Sequence, residues 1–465
     1  MNIMHVSLGL PPLRTGGMTR YCTEVMEAQA ARGERVSLLY PGSFMPGKMR
    51  ITHGRWHQID TYEVINPLPV PLTYGVADPK EFCMPSNNPG AYRELLEDVQ
   101  PDVLHIHCYQ GIHREFFDAA KQLGIRMVYT THDYYPMCPR CTFIDAWGTD
   151  CKEGPSPERC AACNSRFGMS YQKSRVMQSH IYANLKNSAF MRKLGTKAKS
   201  AMTADAGSDA SINATISAEC ASEYKDLLDY NKGIFSLFDL ALANSSMTMG
   251  LFKRFNPSAK YELLPITHSG LTRDQAKKGA PRVSGEPLHI GYFGGRKAYK
   301  GFDVLMEACS MLKSTGLPFE INLYGDEYGE LPHCLPCHDF GRIDPADMVN
   351  AMQSNDVVVV PSVYRETFGF IVLEALCAGI EVVCSDAVGA KDLIERRDIF
   401  PSGSVRDLSE ILGRIQRDGP HGACVPAGYP LSMRSQLDML GKFYVTTALH
   451  VQADGVCRER EQDLA

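Results

Sequence analysis

No run of the chain approaches ~18 uninterrupted apolar residues, which excludes a helix that crosses a membrane. Strong charge of one sign is also missing. The formal net charge is −5 over 465 residues, and that argues against a general nucleic-acid binder. The first residues form an apolar strand rather than a charged stretch followed by a long apolar core, so no secretory signal is expected. A cytoplasmic location follows as the expectation, and there thiols stay reduced. The first strand is not followed by Gly-x-Gly-x-x-Gly, so the usual dinucleotide fingerprint is absent. What remains is ordinary globular composition, 44% hydrophobic and 22% charged, on a length that suits two or three domains.

Strands alternate with helices in two series. The first runs from a strand at Ile3–Leu8 through a turn-rich loop ending in Gly16-Gly17 to a helix at Thr19–Arg32. Strands at Val36–Tyr40, Asp102–His107, Ile125–Thr131 and Leu237–Asn244 follow. Phe44–Pro89 reads as long loops with short strands, a common place for ligand contacts. After a linker at Leu264–Glu286, the second series has strands at Leu288–Phe293, Phe319–Tyr324, Val357–Val360 and Glu381–Ser385. Ser432 caps a terminal helix. This alternation predicts an α/β chain with parallel sheets.

The most informative stretch is Asp356–Glu374. Val357–Val360, closed by Pro361, reads as a buried parallel strand. A loop leaves its carboxyl end, and Gly369 opens a helix. A helix N-terminus offers unpaired N–H groups and suits an anion such as a diphosphate. Glu374 lies between Leu373 and Ala375 and should be half-buried, so it needs donors, and ribose hydroxyls would supply them. The glycine-rich loop Gly294–Gly301 carries Arg296 and Lys300 before the next helix, the composition of a diphosphate cradle. His132 stands just past a strand's carboxyl end, where open parallel sheets bind ligands. His105 and His107 read as packed side chains.

Two further stretches stand out. Cys138, Cys141, Cys151, Cys160 and Cys163 include two Cys-x-x-Cys pairs separated by eighteen residues, a spacing that reads as a tetrahedral, structural zinc site. Disulfides or free thiols are the alternative. Between Arg166 and Lys199 basic residues interleave with apolar ones and no acidic residue occurs, which fits a helix on an anionic membrane surface as well as one facing the cleft or water.

Pro361, Ser362, Glu366, Phe368, Gly369, Glu374 and Ala375 together resemble the donor motif of retaining glycosyltransferases of the GT-B fold, family 4. The resemblance implies two Rossmann-like domains facing across a cleft. The first would be an acceptor-side domain over 1–268, with a Cys-rich loop at 138–163 and a helical insertion at 165–232. The second would be a nucleotide-sugar domain over 285–430, and a terminal helix at 431–450 would return to the first. It implies a hexosyltransferase using a UDP- or GDP-sugar and a glycan or lipid-linked acceptor, with peripheral membrane contact through 166–199 and no nucleic acid. His132, Glu366, Lys300 and Arg296 would be catalytic. Gly16, Gly17, Ile343, Phe368, Gly369, Phe370 and Glu374 would bind the donor. No catalytic metal is expected, because the donor loop lacks an Asp-x-Asp pair and the two cations would take the ion's place. A subset of the family carries cysteines matching Cys138, Cys151, Cys160 and Cys163, with Cys141 competing for the fourth position. A non-catalytic nucleotide-sugar-binding partner of another transferase and a GT-B sugar-nucleotide epimerase are the alternatives.

Overall fold

The computed structural model describes residues 1–151, 154–179, 182, 217–271, 285–326 and 328–445. Two sheets organise them. The first contains β1 (Asn2–Val6), β2 (Arg35–Pro41), β3 (Arg50–Trp56), β4 (Ile59–Ile65), β5 (Val103–Ile106), β6 (Arg126–Thr130), β7 (Leu240–Ala243) and β8 (Tyr261–Leu263). Its order is β3-β4-β2-β1-β5-β6-β7-β8, parallel except for the β3–β4 pair. The second contains β9 (Leu288–Phe293), β10 (Phe319–Tyr324), β11 (Cys337–Gly341), β12 (Val357–Val360), β13 (Glu381–Ser385) and β14 (Ile399–Phe400). It is wholly parallel, in the order β11-β10-β9-β12-β13-β14.

The central strands are short apolar runs such as Val357–Val360, buried throughout. Strands covered on both faces read this way. Strand order reverses at β1/β5 in the first sheet and at β9/β12 in the second, and open parallel sheets bind ligands in the crevice at such points. The glycine loops after β1 and β9 and the loop after β12 all leave from these strands.

Phe44–Pro89 is more regular than its sequence implies. It contains the seven-residue strands β3 and β4, joined as an antiparallel edge hairpin. No residue of β3 is buried, and its sequence, Arg-Ile-Thr-His-Gly-Arg-Trp, has no apolar run to mark it. Of the basic stretch 166–199, the described part holds one short helix, Tyr171–Met177. Residues 180–181 and 183–199 lie outside the described residues, as does most of the 264–286 linker. No helix among the described residues is long and apolar enough to cross a membrane.

The helix Met433–Val445 packs against the first sheet's side of the molecule. Gln436 donates to the hydroxyl of Tyr21 at 2.8 Å, and Arg32 pairs with Asp438 at 2.9 Å. Tyr21, Val25, Leu437, Leu440 and Tyr444 join Val358, Phe368 and Val372 in one apolar core, so that core is continuous between the two halves.

Candidate active site

Lys300 ends the loop after β9. Gly301 follows with φ 75°, and a Cβ there would lie 1.7 Å from the carbonyl oxygen of Pro361. Only glycine lets the two loops at the β9/β12 switch point press together in this way. The contact sets Lys300 Nζ 2.8 Å from Glu366 Oε1 and 3.4 Å from the Tyr364 hydroxyl. Ser362 donates its hydroxyl to the same carboxylate oxygen. Glu366 is only 8% exposed, so these donors compensate a carboxylate withdrawn from water. Burial opposes the charge on Lys300, but Glu366 and Tyr364 outweigh it and raise its pKa above the ordinary lysine range. The site therefore holds a fixed cation beside a fixed anion.

The loop carrying Glu366 is gripped by the first domain. Thr367 donates its hydroxyl to the carbonyl of His132 at 3.1 Å. The carbonyl of Thr367 accepts from Ser245 at 2.7 Å and from Thr248 at 3.0 Å. These bonds bring His132, past the end of β6, to the loop beside Glu366. A cavity of about 230 Å³ opens there, lined by Gln110, His132, Asp133, Tyr364, Arg365 and Thr367 among others. Burial lowers the pKa of His132 to about 3 and raises that of Asp133 to about 6. His132 is thus a neutral imidazole at physiological pH.

Gly369, with φ 104°, precedes the helix Phe370–Cys377, and a Cβ on it would meet Val388 Cγ1 at 2.8 Å. Phe368 is buried and packs edge-on against Phe370 at 5.5 Å. Gly17 lies across the interface from Phe370, whose ring a Cβ would touch at 3.4 Å, whereas Gly16, with φ 111°, has open space on its Cβ side. Gly17 and Phe370 therefore meet, while Gly16 stands clear.

Residues 15–159 match the family model Glycosyltransferase Family 4, and residues 287–418 match the model Glycosyl transferases group 1. The chain belongs to this glycosyltransferase family. Over 394 residues the glycosyltransferase is 21% identical to an uncharacterized 42.6 kDa protein in the cps region of Klebsiella pneumoniae, an alignment covering 82% of this chain and 78% of that one. Over 182 residues it is 28% identical to a phosphatidyl-myo-inositol mannosyltransferase of Mycobacterium leprae, covering 36% of this chain and 41% of that one, so it spans less than half of that relative. Its fold matches the solved sucrose-phosphate synthase of Thermosynechococcus elongatus with TM-score 0.54 at 15% identity, covering 95% and 98% of the two chains. Two Rossmann-like sheets in this arrangement are the GT-B fold.

Two residues of the glycosyltransferase stand elsewhere than the sequence implies. Arg296 does not join Lys300. Its guanidinium donates to the carbonyls of Tyr328 and Glu330, both at 3.0 Å, and lies over the ring of Phe302. Its Nη1 carries two N–H groups, and the two converging carbonyls take both. Glu374 is half-buried, but its partners here are protein groups rather than open cleft. Its Oε1 accepts from His268 Nε2 at 3.0 Å, with Arg20 at 3.7 Å. Arg20 in turn donates to His268 Nδ1 at 2.8 Å. Ile343 is half-buried, two residues beyond β11 at the sheet edge.

Cys138, Cys151, Cys160 and Cys163 line one small cavity, together with Arg159. Cys141 belongs elsewhere. Its thiol accepts from Gln110 and donates to the carbonyl of Leu72 at 3.0 Å, on the cleft side. All five are free thiols. Burial raises the pKa of Cys160 first, and the neighbouring Cys138, Cys163 and Cys151 add to the shift. Among the described residues, the group of three potential ligand atoms all within 4.8 Å of one another is His5, His105 and His107, so no three of the cysteine sulfurs lie that close together.

Tyr364, Arg365, Arg20 and His268 were not singled out by sequence reasoning. Tyr364 and Arg365 lie between Ser362 and Glu366, which carry the motif. Arg20 and His268 meet only through folding.

Proposed function

We propose that this glycosyltransferase is a retaining hexosyltransferase that moves a sugar from a nucleoside diphosphate sugar, UDP- or GDP-linked, to a glycan or lipid-linked acceptor. The observation that carries the reading is the Lys300–Glu366 pair at a strand-order switch point, with His132 held to the same loop. Lys300 offsets the charge that develops on the departing diphosphate, acting where closure of the domains excludes water. Glu366 and the loop around Gly369 orient donor-sugar hydroxyls. His132 contacts the sugar near the reacting carbon. The bond from the anomeric carbon to the phosphate oxygen breaks while the bond to the acceptor oxygen forms on the same face. The acceptor's proton passes to the leaving phosphate oxygen, with no protein nucleophile. Glu374 reaches the ribose only after exchanging its contact with His268. The Klebsiella relative encoded in a cps region and the mannosyltransferase named for phosphatidyl-myo-inositol support an acceptor of the surface-polysaccharide or lipid-linked kind.

The test is a panel of nucleotide sugars assayed for released nucleoside diphosphate, with and without candidate acceptors. Turnover of one donor, abolished in Lys300→Ala, is expected. Tight binding of a donor with no turnover under any condition would instead favour a non-catalytic partner of another transferase.

Cys138, Cys151, Cys160 and Cys163 would hold a structural zinc ion once their side chains draw together. Four thiolates fill a tetrahedral site and leave no open position, so the ion would act as a staple on a loop with little core of its own. Elemental analysis of the purified protein should give about one zinc per chain. Folded protein free of zinc would exclude the staple.

A further inference from the structure

Among the described residues of the glycosyltransferase, three histidines with no exposed surface take no part in the proposed chemistry. His5 lies on β1, and His105 and His107 lie on or just past β5; all are fully buried. Together with His132 past β6 they cross three adjacent strands near their carboxyl ends. His132 Nε2 is 3.1 Å from His107 Nδ1, and His107 Nε2 is 3.0 Å from His5 Nδ1. His5 Nε2 is 2.7 Å from Gln29 Oε1. The row is three imidazoles joined nitrogen to nitrogen, with an amide at the far end.

A neutral imidazole has one donor nitrogen and one acceptor nitrogen. Burial keeps these rings neutral, lowering His5 to about 4 and His107 well below the ordinary value. In such a row each ring dictates the next. The amide oxygen of Gln29 can only accept, so His5 carries its proton on Nε2 and accepts at Nδ1. His107 must then donate from Nε2 and accept at Nδ1. His132 must donate from Nε2, which leaves Nδ1 as an acceptor for a ligand. A break in this order would set N–H against N–H, or lone pair against lone pair, in a buried site, which leaves polar groups unsatisfied.

The anchor is itself held. Gln29 donates from Nε2 to the Tyr444 hydroxyl at 3.2 Å, and that hydroxyl bonds His105 Nδ1 at 2.7 Å. His105 Nε2 bonds Thr130 Oγ1 at 2.8 Å. A 180° turn of the Gln29 amide would reverse every bond in both branches and present an N–H from His132 Nδ1.

We propose that Gln29, acting through His5 and His107, is a positioning residue that sets which ring nitrogen of His132 carries its proton, presenting Nδ1 as an acceptor for a donor-sugar hydroxyl. The part that concerns the sugar rests on the transferase reading above; the tautomer itself does not. The test uses the full chain labelled with ¹⁵N-histidine, whose side-chain shifts separate Nδ1–H from Nε2–H rings. The expected result is Nε2–H for His5, His107 and His132. In Gln29→Leu, His132 should shift to a mixture or to Nδ1–H, with kcat down roughly tenfold or more. Gln29→Glu keeps an acceptor toward His5 and should restore the single tautomer. An Nδ1–H His132 in the unmodified protein, or an unchanged His132 in folded Gln29→Leu, would overturn the relay. If Gln29→Leu does not fold, the tautomers of the unmodified chain decide. Altered tautomers with unaltered turnover would overturn the proposed use of Nδ1 while leaving the donor reading to the nucleotide-sugar panel.

Discussion

Arg365 donates to Asp150 across the domain boundary at 3.0 Å. The first residue precedes Glu366; the second precedes Cys151. Both side chains are about four-fifths buried, and the Arg365 guanidinium also lies over the Phe143 ring. The cysteine loop therefore touches the donor loop directly. Asp150→Asn should lower kcat several-fold and also lower thermal stability, because it leaves the largely buried Arg365 guanidinium without its counter-charge. Combined with Cys160→Ser, it should add less than its separate effect, because both changes act through one loop. Full additivity in a double-mutant cycle would separate the loop from the site.

Lys300→Ala should reduce turnover by roughly two to three orders of magnitude, as loss of one preorganised donor to a developing anion does. It also leaves Glu366 buried with Ser362 as its remaining side-chain donor, so a stability loss of about 1–3 kcal/mol is expected in urea unfolding. Turnover within a factor of a few of the unmodified enzyme would remove Lys300 from the phosphate site.

His268→Ala should loosen the contact between the two halves, since His268 and Arg20 of the first converge on Glu374 of the second. Small-angle scattering should report a larger radius of gyration without donor, and KM for the donor should rise several-fold. Scattering identical to the unmodified protein would show that the contact does not hold the domains.

Acidification should destabilise the fold. Burial lowers the pKa values of His5 and His113 to about 4, that of His132 to about 3, and those of His105 and His107 further. Between these values and 6.5 the unfolded chain binds more protons, so stability is complete above about pH 6.5 and is lost as pH falls. Asp133, raised by burial from 3.8 to about 6, acts in the opposite sense, and its contribution falls as pH rises through that window. Glu34 and Glu381, also raised by burial, act in the same sense as Asp133, and five histidines against three carboxyls leave a net loss on acidification. Urea midpoints at pH 7.5 and pH 5 should differ clearly, with the acid sample weaker; equal midpoints would contradict the buried histidine cluster.

Much of the fold was legible because buried parallel strands are written as short β-branched runs, as at Val357–Val360. The half-exposed hairpin Arg50–Ile65 was not, since its alternation is diluted by charge. Within the site, a cation-bearing glycine loop drew attention to Lys300, whereas Glu366, Gly16 and Gly17 came from the resemblance to the family's donor motif. Contacts between distant segments, such as Arg20 and His268 with Glu374 or His132 with Thr367, have no one-dimensional signature. Arg296 marks a second limit: a cation in a glycine loop answers to whichever acceptors converge on it, and here those are two carbonyls. His105 lies on β5 and His107 one residue past it, and the sequence reading of both as packed side chains agrees with their burial.

The helix Met433–Val445 completes the wall behind His105 and Gln29. During synthesis the first half of the chain therefore emerges with one side of its sheet uncovered, and the covering piece is made after the entire second half. The two halves cannot be separated by a simple cut between them: a fragment ending before residue 285 would expose Tyr21, Val25 and the buried imidazoles to water. Separate expression of the first half would call for the last helix to be supplied with it.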